Sequence, residues 1–209
     1  MNHFLLAIFW IVWCAIHSGM ISVTATDFFK RRLGAHYRFY RLFFNFVAVA
    51  TIIPVLLYTK YIESHVLFRW EGLLVVVQVL LLALAGLLII AGAKHYDMLQ
   101  FLGLRQIMTG ASHNLLTESG QLSTSGILGV TRHPWYLATI LLIWAGPPAF
   151  TTSTLVTNAV LSIYLVVGTI LEERKLILEI GEDYREYQGK VSMLVPYKWL
   201  ARWGGTPNG

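Results

Sequence analysis

An all-α, polytopic membrane protein with about five transmembrane helices is the fold this sequence predicts, and three observations predict it. The 209-residue chain is 56% hydrophobic but only 13% charged, where an ordinary soluble domain carries roughly 25% charged residues. Apolar runs recur at lengths close to the ~20 residues that a helix needs to cross the hydrocarbon core. Basic residues collect in alternate connecting segments, the pattern that fixes orientation in a bilayer. With no Gly/Ser-rich or Pro-rich linker and no internal repeat, residues 1–209 read as one domain.

The first apolar run, Phe4 to Ser22, reads as a permanent helix, because residues 1–3 hold no Lys or Arg and no clear small-residue cleavage site follows. It contains the lone cysteine, Cys14, which excludes an intrachain disulfide and fits a small packing residue. Further runs extend from Leu42 to Thr59, Leu73 to Ala93, Trp135 to Phe150 and Thr154 to Leu171, the fourth being the shortest. Pro147 and Pro148 lack amide protons and disfavour helix at the residue before each, so they mark a turn between the last two runs. The Thr151-Thr152-Ser153-Thr154 segment offers an N-cap for the helix that follows. These two runs predict a helical hairpin. Beyond it, residues 172–188 mix acidic, basic and apolar types as an interfacial helix does, with a break expected at Gly181.

Charge orients this arrangement. Lys30, Arg31, Arg32, Arg38 and Arg41 follow the first run, Lys94, Arg105 and Arg132 follow the third, and Arg174, Lys175, Arg185, Lys190, Lys198 and Arg202 follow the fifth. Only Lys60 and Arg69 fall on the other side. By the positive-inside rule the amino terminus faces out, while the carboxyl terminus and most polar residues face the cytoplasm. Orientation and contact with anionic membrane lipids account for the basic excess, so no nucleic-acid partner is expected.

Residues 135–171 contain no Asp, Glu, Lys or Arg. A hairpin over them brings Arg132 and His133 to the same membrane face as Glu172 and Glu173. Pro134 suits the first turn of a helix and fixes where Arg132 and His133 stand. A guanidinium fork can bind a carboxylate and a glutamate can accept from an ammonium, so the four residues together suit a zwitterionic amino-acid group. Ordinary interfacial anchoring remains open for the same charges. Outside the spans, Arg132→Ala and Glu173→Gln are expected to leave the fold intact. His17, near the inner end of the first run, is a further candidate because ionisable residues in spans are commonly functional. His36, Tyr37, Tyr40, His95, Asp97, His113 and Asn114 lie on the same side. No HExxH, His-x-His or cysteine pair supports a metal, no GxxxxGK[ST] supports phosphate binding, and no GxGxxG supports a soluble dinucleotide fold.

The stretch Ser125-Gly-Ile-Leu-Gly-Val-Thr-Arg-His-Pro-Trp-Tyr-Leu, then Leu171-Glu-Glu-Arg-Lys-Leu, Gly181-Glu-Asp-Tyr-Arg-Glu-Tyr and Val195-Pro196, resembles the isoprenylcysteine carboxyl methyltransferase and phospholipid methyltransferase superfamily over roughly residues 103–196. His95-Tyr-Asp-Met-Leu-Gln-Phe-Leu-Gly-Leu-Arg-Gln106, Trp144-Ala-Gly-Pro147, Val191-Ser-Met-Leu-Val-Pro196, His17-Ser18 and Tyr37-Arg-Phe-Tyr-Arg-Leu are similar to its bacterial methanethiol S-methyltransferase branch, which implies a bacterial inner membrane. Ala138 departs from the glycine that many relatives carry. The resemblance implies S-adenosylmethionine held by Arg132, His133, Pro134, Glu172 and Glu173, with Tyr136, Tyr184 and Tyr187 lining or supporting it. It implies a small or lipophilic methyl acceptor entering from the bilayer, a thiol such as methanethiol first, with an isoprenoid carboxylate or phospholipid amine as alternatives. His133, Arg132, His113 and His17 are the candidates for raising the thiolate fraction. An NADPH-dependent membrane reductase and a non-catalytic assembly factor also stay open.

Overall fold

The computed structural model describes residues 1–94, 98–109 and 124–204. It is mostly helical. In chain order the elements are α1 (Asn2–Ile21), α2 (Val23–Leu33), α3 (Tyr40–Tyr61), β1 (Val66–Arg69), α4 (Leu74–Ala93), α5 (Met98–Leu102), α6 (Leu104–Thr109), α7 (Pro134–Ala145), β2 (Ala149–Thr151), α8 (Thr152–Ile180), α9 (Glu182–Lys190) and α10 (Tyr197–Gly204). Among the described residues four helical stretches are long and apolar enough to cross a membrane: Asn2–Ile21, Val23–Tyr61, Leu74–Ala93 and Thr152–Ile180. The fourth expected span differs. Pro134 starts α7 and Gly146-Pro147-Pro148 follows its end, so the helix has 12 residues. That is about 18 Å of rise, short of the ~30 Å hydrocarbon core.

The chain forms two compact units. The first contains Met1–Arg69, α5, α6 and Ala149–Leu161. In it α1 and α3 run antiparallel. The Tyr58 hydroxyl donates to the Asn2 carbonyl at one end (3.4 Å), Trp13 Nε1 to the Ala48 carbonyl in the middle (3.1 Å), and the Tyr40 hydroxyl to the Met20 carbonyl at the other end (2.6 Å). Leu6, Trp10, Val55 and Ile62 form the core, with Val156 and Val160 of α8 packed against it. Cys14 is buried and unbridged, as a packing residue should be. Helix α3 continues through Pro54. Arg41 Nε and Asn45 Nδ2 take the terminal carbonyls of α5, at Phe101 (3.1 Å) and Leu102 (3.1 Å). The next residue, Gly103, has φ +88°, and a Cβ there would lie 2.9 Å from the Leu42 amide nitrogen.

Two short strands in this unit were not expected from the sequence. Val66, Phe68 and Arg69 pair antiparallel with Thr151, Phe150 and Ala149, with an irregularity between Val66 and Phe68. The chain is extended between the Pro pair and α8, and β-branched and aromatic residues suit that conformation. Thr151 Oγ1 accepts from the Thr154 amide (3.2 Å), so the expected N-cap is present.

In the second unit α4 packs antiparallel on α7 through small residues, a mode that lets apolar helices approach closely. Ala85, Leu88 and Ala138 are buried together. Gln78 Nε2 donates to the Ala145 carbonyl at one end (2.8 Å), and Trp135 Nε1 donates to the Ile89 carbonyl at the other (3.1 Å). Gly92 leaves the space for Trp135: a Cβ there would stand 2.4 Å from the indole nitrogen. Gly92→Ala is therefore expected to displace the ring and destabilise the protein by about 1–3 kcal/mol, read as a lower unfolding temperature in detergent.

Candidate functional site

Local backbone geometry sets the position of every group in the second unit's polar cluster. A turn at Gly126–Gly129 leads into Thr131, Arg132 and His133, which lie alongside residues 191–193. The Arg132 amide donates to the Ser192 carbonyl (3.0 Å), the His133 amide to the Met193 carbonyl (3.1 Å), and Thr131 Oγ1 also to Met193 (3.1 Å). Pro134 then opens α7 with no amide left to satisfy. Facing it, the charge-free part of α8 gives way to Glu172 and Glu173. Trp144 Nε1 reaches Ser162 Oγ at the far end of α7 (2.9 Å), so α7 and this part of α8 run antiparallel, with both charged motifs at one end.

Glu173 is the hub. Its Oε1 accepts from Arg132 Nε (2.6 Å) and His133 Nε2 (3.1 Å), and its Oε2 from Arg132 Nη2 (2.9 Å) and Gln188 Nε2 (2.9 Å). Four bonds fill the acceptor sites of a carboxylate. Arg132 Nη1 donates to the carbonyls of Gln188 (3.2 Å) and Val191. Of five guanidinium protons, one on Nη2 remains. Arg132 and Glu173 are each 7% exposed and His133 is 1% exposed. Both members of the pair are thus interior, an observation that argues against Arg132→Ala and Glu173→Gln leaving the fold untouched. Because Glu173 only accepts, His133 carries its proton on Nε2, and Nδ1 points toward Glu172 Oε2 at 4.0 Å. The Glu172 side chain is 35% exposed. It is the more exposed of the cluster's two adjacent carboxylates.

Two aromatic groups flank this network. The Tyr136 ring stands edge-on to His133 at 5.5 Å, with Gly168 of α8 behind it. Tyr184 and Tyr187 of α9 are buried edge to face at 5.8 Å, and the Tyr187 hydroxyl donates to the Leu128 carbonyl (2.6 Å). Burial first, then the Glu173 charge, raises both phenols above the ordinary value of 10.0, which keeps them protonated near neutrality. A raised folded-state pKa contributes stability that is complete below the unfolded value and is lost as pH climbs past it. Tyr187→Phe is expected to cost about 1 kcal/mol near neutrality and to flatten the alkaline fall in stability above pH 10, both measured by denaturant titration.

Of the residues singled out in the sequence, Arg132, His133, Pro134, Tyr136, Glu172, Glu173, Tyr184 and Tyr187 all belong to this unit. His17 belongs to the other, packed between the tilted rings of Trp13 (5.1 Å) and Phe44 (4.8 Å). His113 lies outside the described residues, as do His95, Asp97 and Asn114. Residues 172–180 continue α8 rather than starting a new helix, and Gly181, φ +80°, makes the break before α9. Sequence reasoning missed Gln188 and the carbonyls of residues 188–193. Gln188 stands four residues after Tyr184, on the same face of α9, and that spacing was the available signal. Lys198 and Arg202 of α10 complete the α9 terminus, donating to the carbonyls of Gln188 (2.7 Å), Gly189 (3.0 Å) and Lys190 (2.6 Å). Among the described residues no three His, Cys, Asp or Glu side chains gather to hold a metal.

A family model described as "Protein of unknown function (DUF1295)" matches residues 4–191, and the chain belongs to that family. The chain is similar to Methanethiol S-methyltransferase 1 of Bradyrhizobium diazoefficiens, 48% identical over 67 residues, covering 32% of this chain and 23% of that protein. It is 39% identical over 77 residues to Methanethiol S-methyltransferase of Pseudomonas deceptionensis, covering 37% and 29%. It is 33% identical over 104 residues to the Crocosphaera subtropica protein of that name, covering 50% and 39%. These relatives bear out the resemblance to the methanethiol S-methyltransferase branch, and the matches span less than half of each relative's own length. No solved structure matches the chain.

Proposed function

We propose that the chain is an S-adenosylmethionine-dependent membrane methyltransferase whose acceptor is a small thiol, methanethiol first. The observation that carries this reading is the one-third-exposed Glu172 beside a buried Arg132–His133–Glu173 frame, in a chain similar to methanethiol S-methyltransferases. The donor set fits an amino-acid-bearing ligand. Glu172 accepts from its ammonium, the remaining Nη2 proton of Arg132 serves its carboxylate, and Tyr136 contributes an aromatic edge. When bound, S-adenosylmethionine supplies an electrophilic methyl group on a sulfonium.

The protein's own part is to position, desolvate and handle a proton. A thiol has an ordinary pKa near 8.5 and reacts as its thiolate. Nδ1 of His133 is the open proton-accepting atom, and Glu172 beside it stabilises the resulting imidazolium. Glu173 acts as a positioning residue, and Arg132 adds to its ligand contact a positioning role through its other four protons. They hold the imidazole and the 188–193 segment in place, and α9 excludes water with its tyrosines.

The distribution of the basic residues supports an orientation with the amino terminus outside and the carboxyl terminus and this site in the cytoplasm, and α7 with α8 as a hairpin entering from that face. Detergent-purified protein titrated with S-adenosylmethionine and S-adenosylhomocysteine is expected to bind both by calorimetry. Membranes given labelled donor are then expected to methylate methanethiol in preference to isoprenoid thioethers, phosphatidylethanolamine and small amines. Silence toward both adenosyl compounds sinks the reading.

A further inference from the structure

We infer that α2 is a binding surface for anionic phospholipid headgroups, a role independent of the methyl-transfer reading. The argument starts from where the helix lies. α1 ends at Ile21 and α3 begins at Tyr40, and these two apolar helices run antiparallel with Met20 bonded to Tyr40. The 11 residues of α2 therefore sit at the end of a membrane-spanning pair, where bilayer meets water. The stretch Val23–Tyr61 is broken at Gly34 (φ +51°), and its α3 portion of 22 residues rises about 33 Å. Only its apolar α3 portion fits within a ~30 Å core.

The surface chemistry of α2 matches that boundary. No residue of α2 is buried. Its inner side holds Ala25 and Phe29, the latter 5.0 Å from the Tyr40 ring, and so anchors the helix to α3. Its outer side exposes Val23 (58%) and Phe28 (60%) together with Lys30, Arg31 and Arg32. A groove along the helix is lined by Val23, Thr24, Asp27, Phe28, Arg31 and Arg32. Among the described residues none of the three cations has an ion-pair partner. One cation would satisfy the helix C-terminal dipole; three in succession sweep a wide arc around the axis and exceed that need. Apolar side chains reaching into the acyl boundary, with guanidinium and ammonium groups at phosphate level, are the pattern of an interfacial helix on an anionic surface.

The test uses the full chain in a neutral detergent, titrated with phosphatidylglycerol, phosphatidylcholine or inorganic phosphate while unfolding temperature is followed. Phosphatidylglycerol is expected to bind about tenfold tighter than phosphatidylcholine, with no response to inorganic phosphate. Lys30→Gln/Arg31→Gln/Arg32→Gln is expected to abolish the preference, and Lys60→Gln/Arg69→Gln to keep it. If the triple variant does not fold, single Arg31→Gln and Arg32→Gln proteins each showing a reduced preference carry the same conclusion. Equal affinity for the two lipids, an unchanged preference in the variants, or an equal response to inorganic phosphate overturns the proposal.

Discussion

Arg132→Ala is expected to lower stability by about 3–5 kcal/mol, enough to prevent accumulation of folded protein, because it leaves the Glu173 carboxylate interior and without its main partner. The loss extends beyond one ion pair. The same guanidinium also holds the carbonyls of Gln188 and Val191, so the start of α7 and the end of α9 lose a shared tie and keep only the backbone bonds from residues 132 and 133 and the Thr131 hydroxyl bond. The measurement is folded yield and unfolding temperature in detergent. Glu173→Gln keeps the size and removes the charge, so it is expected to fall between wild type and Arg132→Ala. A fully stable Arg132→Ala protein would show that the guanidinium is a ligand group and not a staple.

Glu172→Gln is the complementary case. Its side chain is one-third exposed and makes only a 4.0 Å approach to His133, so stability is expected to stay within about 0.5 kcal/mol of wild type. Affinity for S-adenosylmethionine is expected to fall about 10- to 100-fold, the loss of one charge-assisted bond to an ammonium. Calorimetric titration of the two proteins side by side checks it. Undiminished affinity in Glu172→Gln would move the ammonium contact elsewhere in the cluster.

The division of labour between adjacent glutamates was beyond the reach of the sequence, for a physical reason. Hydropathy located α1, α3, α4 and α8 because a span is a composition problem, and proline chemistry located both ends of α7. The coming together of Arg132, His133, Glu172 and Glu173 was also legible, since a charge-free run of fixed length between two charged motifs leaves few other arrangements. Which carboxylate turns inward depends on where the chain returns after Gly181. The partners that saturate Arg132 are backbone carbonyls, and any residue type carries one. For the same reason the docking of Phe101–Gly103 on α3 left no mark in residue chemistry except the glycine at 103, where the backbones nearly touch, and the β1–β2 pair left only a few β-branched and aromatic residues in runs too short to read as strands.

The parallel bridge between Thr131 and Ser192 sets an order of assembly. Arg132 leaves the ribosome well before Val191, whose carbonyl it must meet, so during synthesis α7 and α8 emerge with a buried-type cation and carboxylate that lack their last partners. Closure of this cluster requires α9 and residues 191–193, which supply Gln188 and the carbonyls of Gln188 and Val191. A chain truncated before residue 191 is expected to leave Arg132 without the Val191 carbonyl and Thr131 without its bridge to Ser192.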